Sequence, residues 1–195
     1  MPPMPKLLSL QTAPTRRVQI NGRPILTAIY KQPSFGMVPV LPLGLDGDEQ
    51  ADLSVHGGLD KAVYAYPSEH YPFWRAQRTQ AGVSGLVDDL PFGAVGENLT
   101  LEGVLERDVW VGDTLQFANC TLRVTLPREP CYKFNAAMGF SGAVKAMALN
   151  ACCGFYLAVD WPGTIQAGES FKMVPGPRRL SIPESFNAKM FKHLR

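Results

Sequence analysis

Short runs of alternating apolar and polar residues dominate this chain. Arg16-Arg17-Val18-Gln19-Ile20 and Arg23-Pro24-Ile25-Leu26-Thr27-Ala28-Ile29-Tyr30 flank Asn21-Gly22. Asn-Gly supplies both positive-φ positions of a tight turn, so this stretch predicts a β-hairpin. Residues 114–118 and 121–126 flank Asn119-Cys120 as a second hairpin. Leu115, Phe117, Leu122, Val124 and Leu126 alternate there, which predicts strands with one buried face. Residues 155–160, 163–166 and 170–174 read as further strands. The helices look short. One opens at Pro67-Ser68-Glu69-His70, carries Tyr71 and Trp74, and ends before Gly82. Its Pro72 falls early enough to be tolerated. A second spans residues 142–150. A third spans 183–194, with Pro183 at its start and Phe186, Met190 and Leu194 spaced four apart. Many short strands with interspersed helices predict a mainly β fold, an irregular β-barrel rather than a βαβ repeat.

Composition narrows this picture. A length of 195 residues fits one domain able to close a hydrophobic core. Hydrophobic residues at 46% and charged residues at 18% exclude global disorder. Eighteen glycines and seventeen prolines argue for many turns and against a helical bundle. No apolar run approaches the roughly 18 residues of a membrane helix, and no run of signal-peptide length follows Met1. A cytoplasmic protein with no membrane contact is expected. The net charge of +2 is too small to predict nucleic-acid binding. Basic residues do gather at the end, as Lys172, Arg178, Arg179, Lys189, Lys192 and Arg195 against one acid, Glu184. Cys120, Cys131, Cys152 and Cys153 form no CxxC pair, which excludes a zinc ribbon and leaves free thiols as the expectation.

Three glycine-punctuated segments are candidates for chemistry. In Val55-His56-Gly57-Gly58-Leu59-Asp60-Lys61, two glycines let the backbone approach a ligand, and its amides with His56 and Lys61 could cradle an anion. A plain tight turn is the competing reading and the favoured one on spacing alone. In Phe92-Gly93-Ala94-Val95-Gly96-Glu97-Asn98, the Asn98 amide could hydrogen-bond the edge of a heterocycle, or simply tie down the loop. In Leu126-Pro127-Arg128-Glu129-Pro130-Cys131-Tyr132-Lys133, prolines stiffen the loop that aims the Cys131 sulfur. Arg128 and Lys133 would favour its thiolate, the form that attacks and binds metals. Cys120, Cys152 and Cys153 look structural.

Taken in order, these segments resemble the MOSC domain family, named for the C-terminal domain of molybdenum cofactor sulfurase, and within it the YiiM-like branch. The resemblance rests on Val55-His56-Gly57-Gly58 through Lys61-Ala62-Val63-Tyr64-Ala65-Tyr66 and on Glu69-His70-Tyr71 with Trp74. It continues through Gly93 to Gly96-Glu97-Asn98-Leu99-Thr100, Val111-Gly112-Asp113 and Pro127-Arg128-Glu129-Pro130-Cys131. Gly154-Phe155-Tyr156-Leu157 with Gly163 and Gly168 completes it, over roughly residues 5–175. The resemblance implies a closed β-barrel of the MOSC type, placed over residues 1–177, and the charge and helical spacing beyond it predict a short basic helical tail over 178–195. It implies a molybdopterin-type molybdenum cofactor with Cys131 as the thiolate ligand to molybdenum. It also implies reduction of N-hydroxylated compounds, N-hydroxylated purine bases among them, with electrons from an external reductase. His56, Gly57, Gly58, Lys61, Asn98 and Arg128 are then the expected cofactor contacts. Two departures stand out. Gly168-Glu169 replaces the family's frequent Gly-Asp, and only about 20 residues follow Val174, where the YiiM-like branch carries a helical extension.

Two other functions compete with the reductase reading. Cys131 could carry a persulfide in a cofactor-binding or sulfur-carrier module without turnover. It could also be the nucleophile of a thiol enzyme, with His56 or His70 as base. The terminal helix cannot bury its apolar stripe alone. Docking on the protein's own body is favoured, with a homodimer contact as the alternative.

Overall fold

A computed structural model describes residues 4–51, 57–83 and 90–192. In chain order the strands and helices are β1 (Lys6–Thr12), β2 (Arg16–Ile20), β3 (Arg23–Thr27), β4 (Gln32–Pro33), β5 (Val38–Leu41) and β6 (Gly44–Leu45). Then come β7 (Val63–Pro67), α1 (Tyr71–Gln80), β8 (Leu99–Glu102), β9 (Thr114–Gln116), β10 (Thr121–Pro127), α2 (Tyr132–Met138) and α3 (Ala143–Asn150). The chain finishes with β11 (Phe155–Trp161), β12 (Gly163–Ile165), β13 (Lys172–Val174) and α4 (Ile182–Met190).

The main sheet is mixed and eight-stranded, in the order β13-β9-β10-β11-β7-β8-β1-β4. The β7–β8 pair is parallel and the other pairs are antiparallel. Two hairpins anticipated from sequence are present. Asn21 and Gly22 take φ of 52° and 74° and join β2 to β3. β9 pairs with β10 across residues 117–120. A three-stranded sheet, β12-β5-β6, lies apart from the main one, so β12 pairs with β5 rather than with its sequence neighbour β11.

The expected closed barrel is not formed by strand ladders among the described residues. The ladder order ends at β13 and β4, and no ladder joins them. The two edges approach at the start of β1 through an isolated Lys6–Ser170 bridge. Leu7 N donates to Glu169 O at 2.8 Å and Gly168 N to Leu7 O at 2.7 Å. The reason is position: β4 pairs with β1 only at Gln11 and Thr12, and the residues that meet Leu7 precede β13, so the seam is made of separate bonds.

The core runs from Leu7, Leu10, Leu99 and Leu101 through Val63 and Leu157 to Trp74 and Phe134, all essentially inaccessible. The polar atoms of two of its aromatic side chains are paired. Trp74 Nε1 donates to Tyr66 Oη at 2.6 Å, and that hydroxyl donates to Cys152 O at 3.0 Å. The last helix packs on the protein's own body. Ile182 and Phe186 are fully buried, and Ile182 N donates to Val109 O at 2.9 Å. Its start is fixed by a capping box in which Ser181 and Glu184 satisfy each other's backbone amides. Such a cap contributes about 1 kcal/mol. Phe186 and Met190 share the inward stripe, while Leu194 lies outside the described residues.

Candidate functional site

Four of the residues expected at a site meet in one cleft. Lys61, Asn98, Arg128 and Cys131 all line a cavity of about 660 Å³, its open mouth included. Gly57 and Gly58 are not among its lining residues. They lead into a 3₁₀ turn, Leu59–Lys61, that carries Lys61 to the cleft. Gly58 has φ +89°, a conformation that disfavours any side chain. His56 lies outside the described residues.

Cys131 follows the loop leaving β10 and is the N-cap residue of α2. Sequence reasoning missed α2, because the Pro127-to-Pro130 punctuation masks a helix that starts one residue later. Of the four free thiols, Cys131 alone is half-buried and the others are buried. Burial pushes the Cys120 and Cys152 thiols up to about 12, and Cys153 well above its ordinary value. Those three are therefore inert at neutral pH. His70 is engaged elsewhere, with its Nε2 2.7 Å from Glu106 Oε2, so it does not serve Cys131 as a base.

Arg128 forms the wall beside the thiol. It is 6% exposed, and its guanidinium lies 4.9 Å from the Tyr64 ring centre and 4.8 Å from that of Phe134. Its Nη1 donates to Val95 O at 2.6 Å. Stacking between two rings fixes the fork's direction while leaving the charge in place. Lys61 Nζ lies 5.7 Å from the Tyr156 ring centre, and Lys133 Nζ donates to Leu26 O at 3.1 Å. Cations thus stand on several sides of one sulfur-bearing cleft.

Asn98 is 4% exposed and its side chain is held from within. Oδ1 accepts the Tyr64 amide at 3.0 Å, while Nδ2 donates to Gln11 O at 3.2 Å and to Asp48 Oδ2 at 2.9 Å. Of the two sequence-level alternatives, this geometry matches the loop tie. Its neighbour Glu97 is also buried, with Oε1 accepting from Tyr71, from Gly93 N at 2.8 Å and from Thr100 Oγ1 at 2.9 Å. Desolvation raises the pKa of its carboxyl above the usual carboxylate range, and those hydrogen bonds offset the rise only in part.

Sequence reading overlooked a buried ion pair in the same cleft. Lys31 Nζ contacts Asp48 Oδ1, and the two side chains are only 7% and 3% exposed. Asp48 Oδ1 also accepts Ala13 N at 2.8 Å. The only signal available was two opposite charges in separate loops, which no periodicity links.

The cleft suits a metal that arrives already chelated. Among the described residues no group of three His, Cys, Asp or Glu side chains converges to hold a bare ion. The cleft offers one accessible thiol with cations around it. That donor set fits a single soft ligand to a metal carried by an anionic organic chelate.

A family model described as "MOSC domain" matches residues 52–172. Protein YiiM of Escherichia coli is 32% identical over 165 residues, covering 85% of this chain and 70% of that protein. A protein of Gibberella moniliformis named "Reductase" is 32% identical over 179 residues, covering 90% of this chain but 31% of its own length. The crystal structure of YiiM from Geobacillus stearothermophilus superposes with a TM-score of 0.75 at 28% identity, covering 98% of this chain and 86% of that one.

Proposed function

This chain belongs to the MOSC domain family and is YiiM-like, and from that membership we propose that it is a molybdenum cofactor-dependent oxidoreductase reducing N-hydroxylated compounds. The observation that carries the reading is the convergence of Cys131, Arg128 and Lys61 on one cleft. A molybdopterin-type cofactor would supply a redox-active metal able to pass two electrons to an N–O bond when it is bound. Cys131 is the protein's thiolate to that metal, and Arg128 and Lys61 offset the cofactor's negative charge. Asn98 acts one layer back by holding Asp48 and the Tyr64 backbone.

Electrons come from an external reductase. The sequence carries no flavin, nicotinamide or iron–sulfur motif to store them. The Gibberella protein named "Reductase" has most of its length outside the region it shares with this chain. The small-molecule substrate is an N-hydroxylated base or amine.

The test is production in a host that makes the cofactor, followed by metal analysis and turnover of an N-hydroxylated purine base with a small chemical reductant. Bound molybdenum with turnover supports the reading. Bound molybdenum without turnover, with sulfur transferred from Cys131 instead, would favour a carrier.

A further inference from the structure

We propose that Lys31, held in place by Asp48, is the acid that protonates the departing hydroxyl during N–O cleavage. The inference rests on the N-hydroxy reductase reading above. Its own basis is the buried pair at the cleft wall.

Lys31 and Asp48 line the same cleft as Cys131. Asp48 is fixed by three donors: Ala13 N, Asn98 Nδ2 and Lys31 Nζ. One of the ammonium's three hydrogens therefore points at Asp48, and no other hydrogen bond from Nζ exists among the described residues. A structural salt bridge alone would be a poor reason for this pair, because the desolvation of two buried charges is often not offset by their mutual attraction. The ammonium also sits in the electrostatic setting of a proton donor. Desolvation lowers its pKa, Arg128 lowers it further, and Asp48 and Glu97 act in the opposite direction. Glu49, Lys61 and Lys133 also line the cleft. A lysine whose pKa is lowered by burial is a stronger acid than an exposed one.

The step balances as follows. R–NH–OH takes two electrons from the external reductase and two protons, giving R–NH₂ and water. The N–O bond breaks, and the oxygen leaves as water with the proton from Lys31. The nitrogen takes its second proton from solvent. The neutral Lys31 amine then regains a proton from water at the cleft mouth.

The experiment has two arms. In the first, cofactor-free protein is titrated by competitive amine labelling with mass-spectrometric readout at Lys31. Lys31 should titrate below the exposed lysines, and lower still in Asp48→Asn, since Asp48 holds the proton on. Titration alongside the surface lysines in both proteins would overturn the proposal. In the second arm, loaded wild type, Lys31→Arg, Lys31→Met and Asp48→Asn are compared for molybdenum content and for the pH dependence of kcat. An acid must be protonated to act, so activity falls above its pKa, and Asp48→Asn should move that falling limb to lower pH. Lys31→Arg and Lys31→Met should keep molybdenum and lose about a hundredfold or more in kcat. Lys31 variants that turn over normally would overturn the acid role while leaving the reductase reading intact. Lys31 variants that fail to load would overturn it too, making Lys31 a cofactor ligand. Wild type that binds molybdenum yet never reduces the substrate would remove both.

Discussion

The Asn98 carboxamide donates to the Asp48 carboxylate at 2.9 Å across 50 positions of sequence, and its oxygen takes the Tyr64 amide at 3.0 Å. One side chain thus locks the loop carrying Asp48 to the strand under the cleft. Asn98→Ala strands the Tyr64 amide and removes a donor from Asp48. An unpaired buried polar group costs about 1–3 kcal/mol. The variant should therefore lose about 2 kcal/mol or more in urea unfolding. Asn98→Asp should lose more, because it sets a second carboxylate against Asp48. A loss under about 0.5 kcal/mol in Asn98→Ala would mean that water replaces these bonds.

Glu97 gives a pH signature. Its carboxyl titrates above the ordinary value of 4.5 in the folded protein because burial disfavours the charge. The folded state then holds a proton that the unfolded state has released. This contribution is fully present below about 4.5 and is lost as pH rises through the raised folded value. Glu97→Gln, which keeps the shape, should gain stability relative to wild type as pH rises from 4.5 to 8. Denaturant midpoints measured across that range check it, and a pH-independent difference would contradict it.

The turn before Lys61 can be tested at two positions. Among the described residues nothing lies within 4 Å of a Cβ built on Gly58, so the φ of +89° is what Gly58→Val strains. Backbone strain of this kind costs about 1–3 kcal/mol. The strain should shift the turn and weaken cofactor loading together with stability. Lys61→Ala should weaken loading without straining the turn. A lost charge-assisted bond of about 1.5–3 kcal/mol corresponds to about one to two decades in affinity. Molybdenum occupancy at limiting cofactor is the measurement, and equal occupancy would remove Lys61 from the cofactor site.

The terminal helix is joined to the cysteine loop. Lys189 Nζ donates to Glu129 Oε1 at 2.7 Å, two residues before Cys131. Truncation after Pro177 also uncovers the sites of Ile182 and Phe186, each contributing about 1.5–3 kcal/mol by burial. Thermal stability should fall by several degrees, and electron delivery from a protein donor should slow at low salt. Lys189→Ala removes only an exposed pair and should change the melting temperature little. Equal loss of activity with protein and small-molecule reductants would show that the helix shapes the cleft rather than the docking of a donor.

The parts of this fold that could be read in advance are those whose signal is local. Asn21-Gly22 dictates a turn through two positive φ values, and Ser181 with Glu184 starts a helix whichever surface it meets. Cys131 was legible for the same reason, since prolines and cations surround it in sequence. The pair Lys31–Asp48 was not, because its members lie 17 residues apart in irregular chain and meet only through the packing of the cleft. Asn98 was legible as important but not as to its direction. Whether its amide faces a ligand or the backbone depends on where Gln11 and Asp48 fall in the folded chain. The barrel expectation failed at its seam, where Gly168 and Glu169 reach Leu7 by single bonds rather than by a ladder.

The central claim is that Cys131 is the thiolate ligand of a molybdenum held in this cleft. Molybdenum K-edge X-ray absorption on wild type and Cys131→Ser, both made in a cofactor-synthesising host, tests it most directly. Cys131 is the one half-buried thiol of the four, so the substitution removes an accessible ligand without opening a core cavity. The account predicts bound molybdenum in wild type with one more sulfur in its coordination shell than in Cys131→Ser. Identical sulfur shells in the two proteins, or wild type without molybdenum, would contradict it.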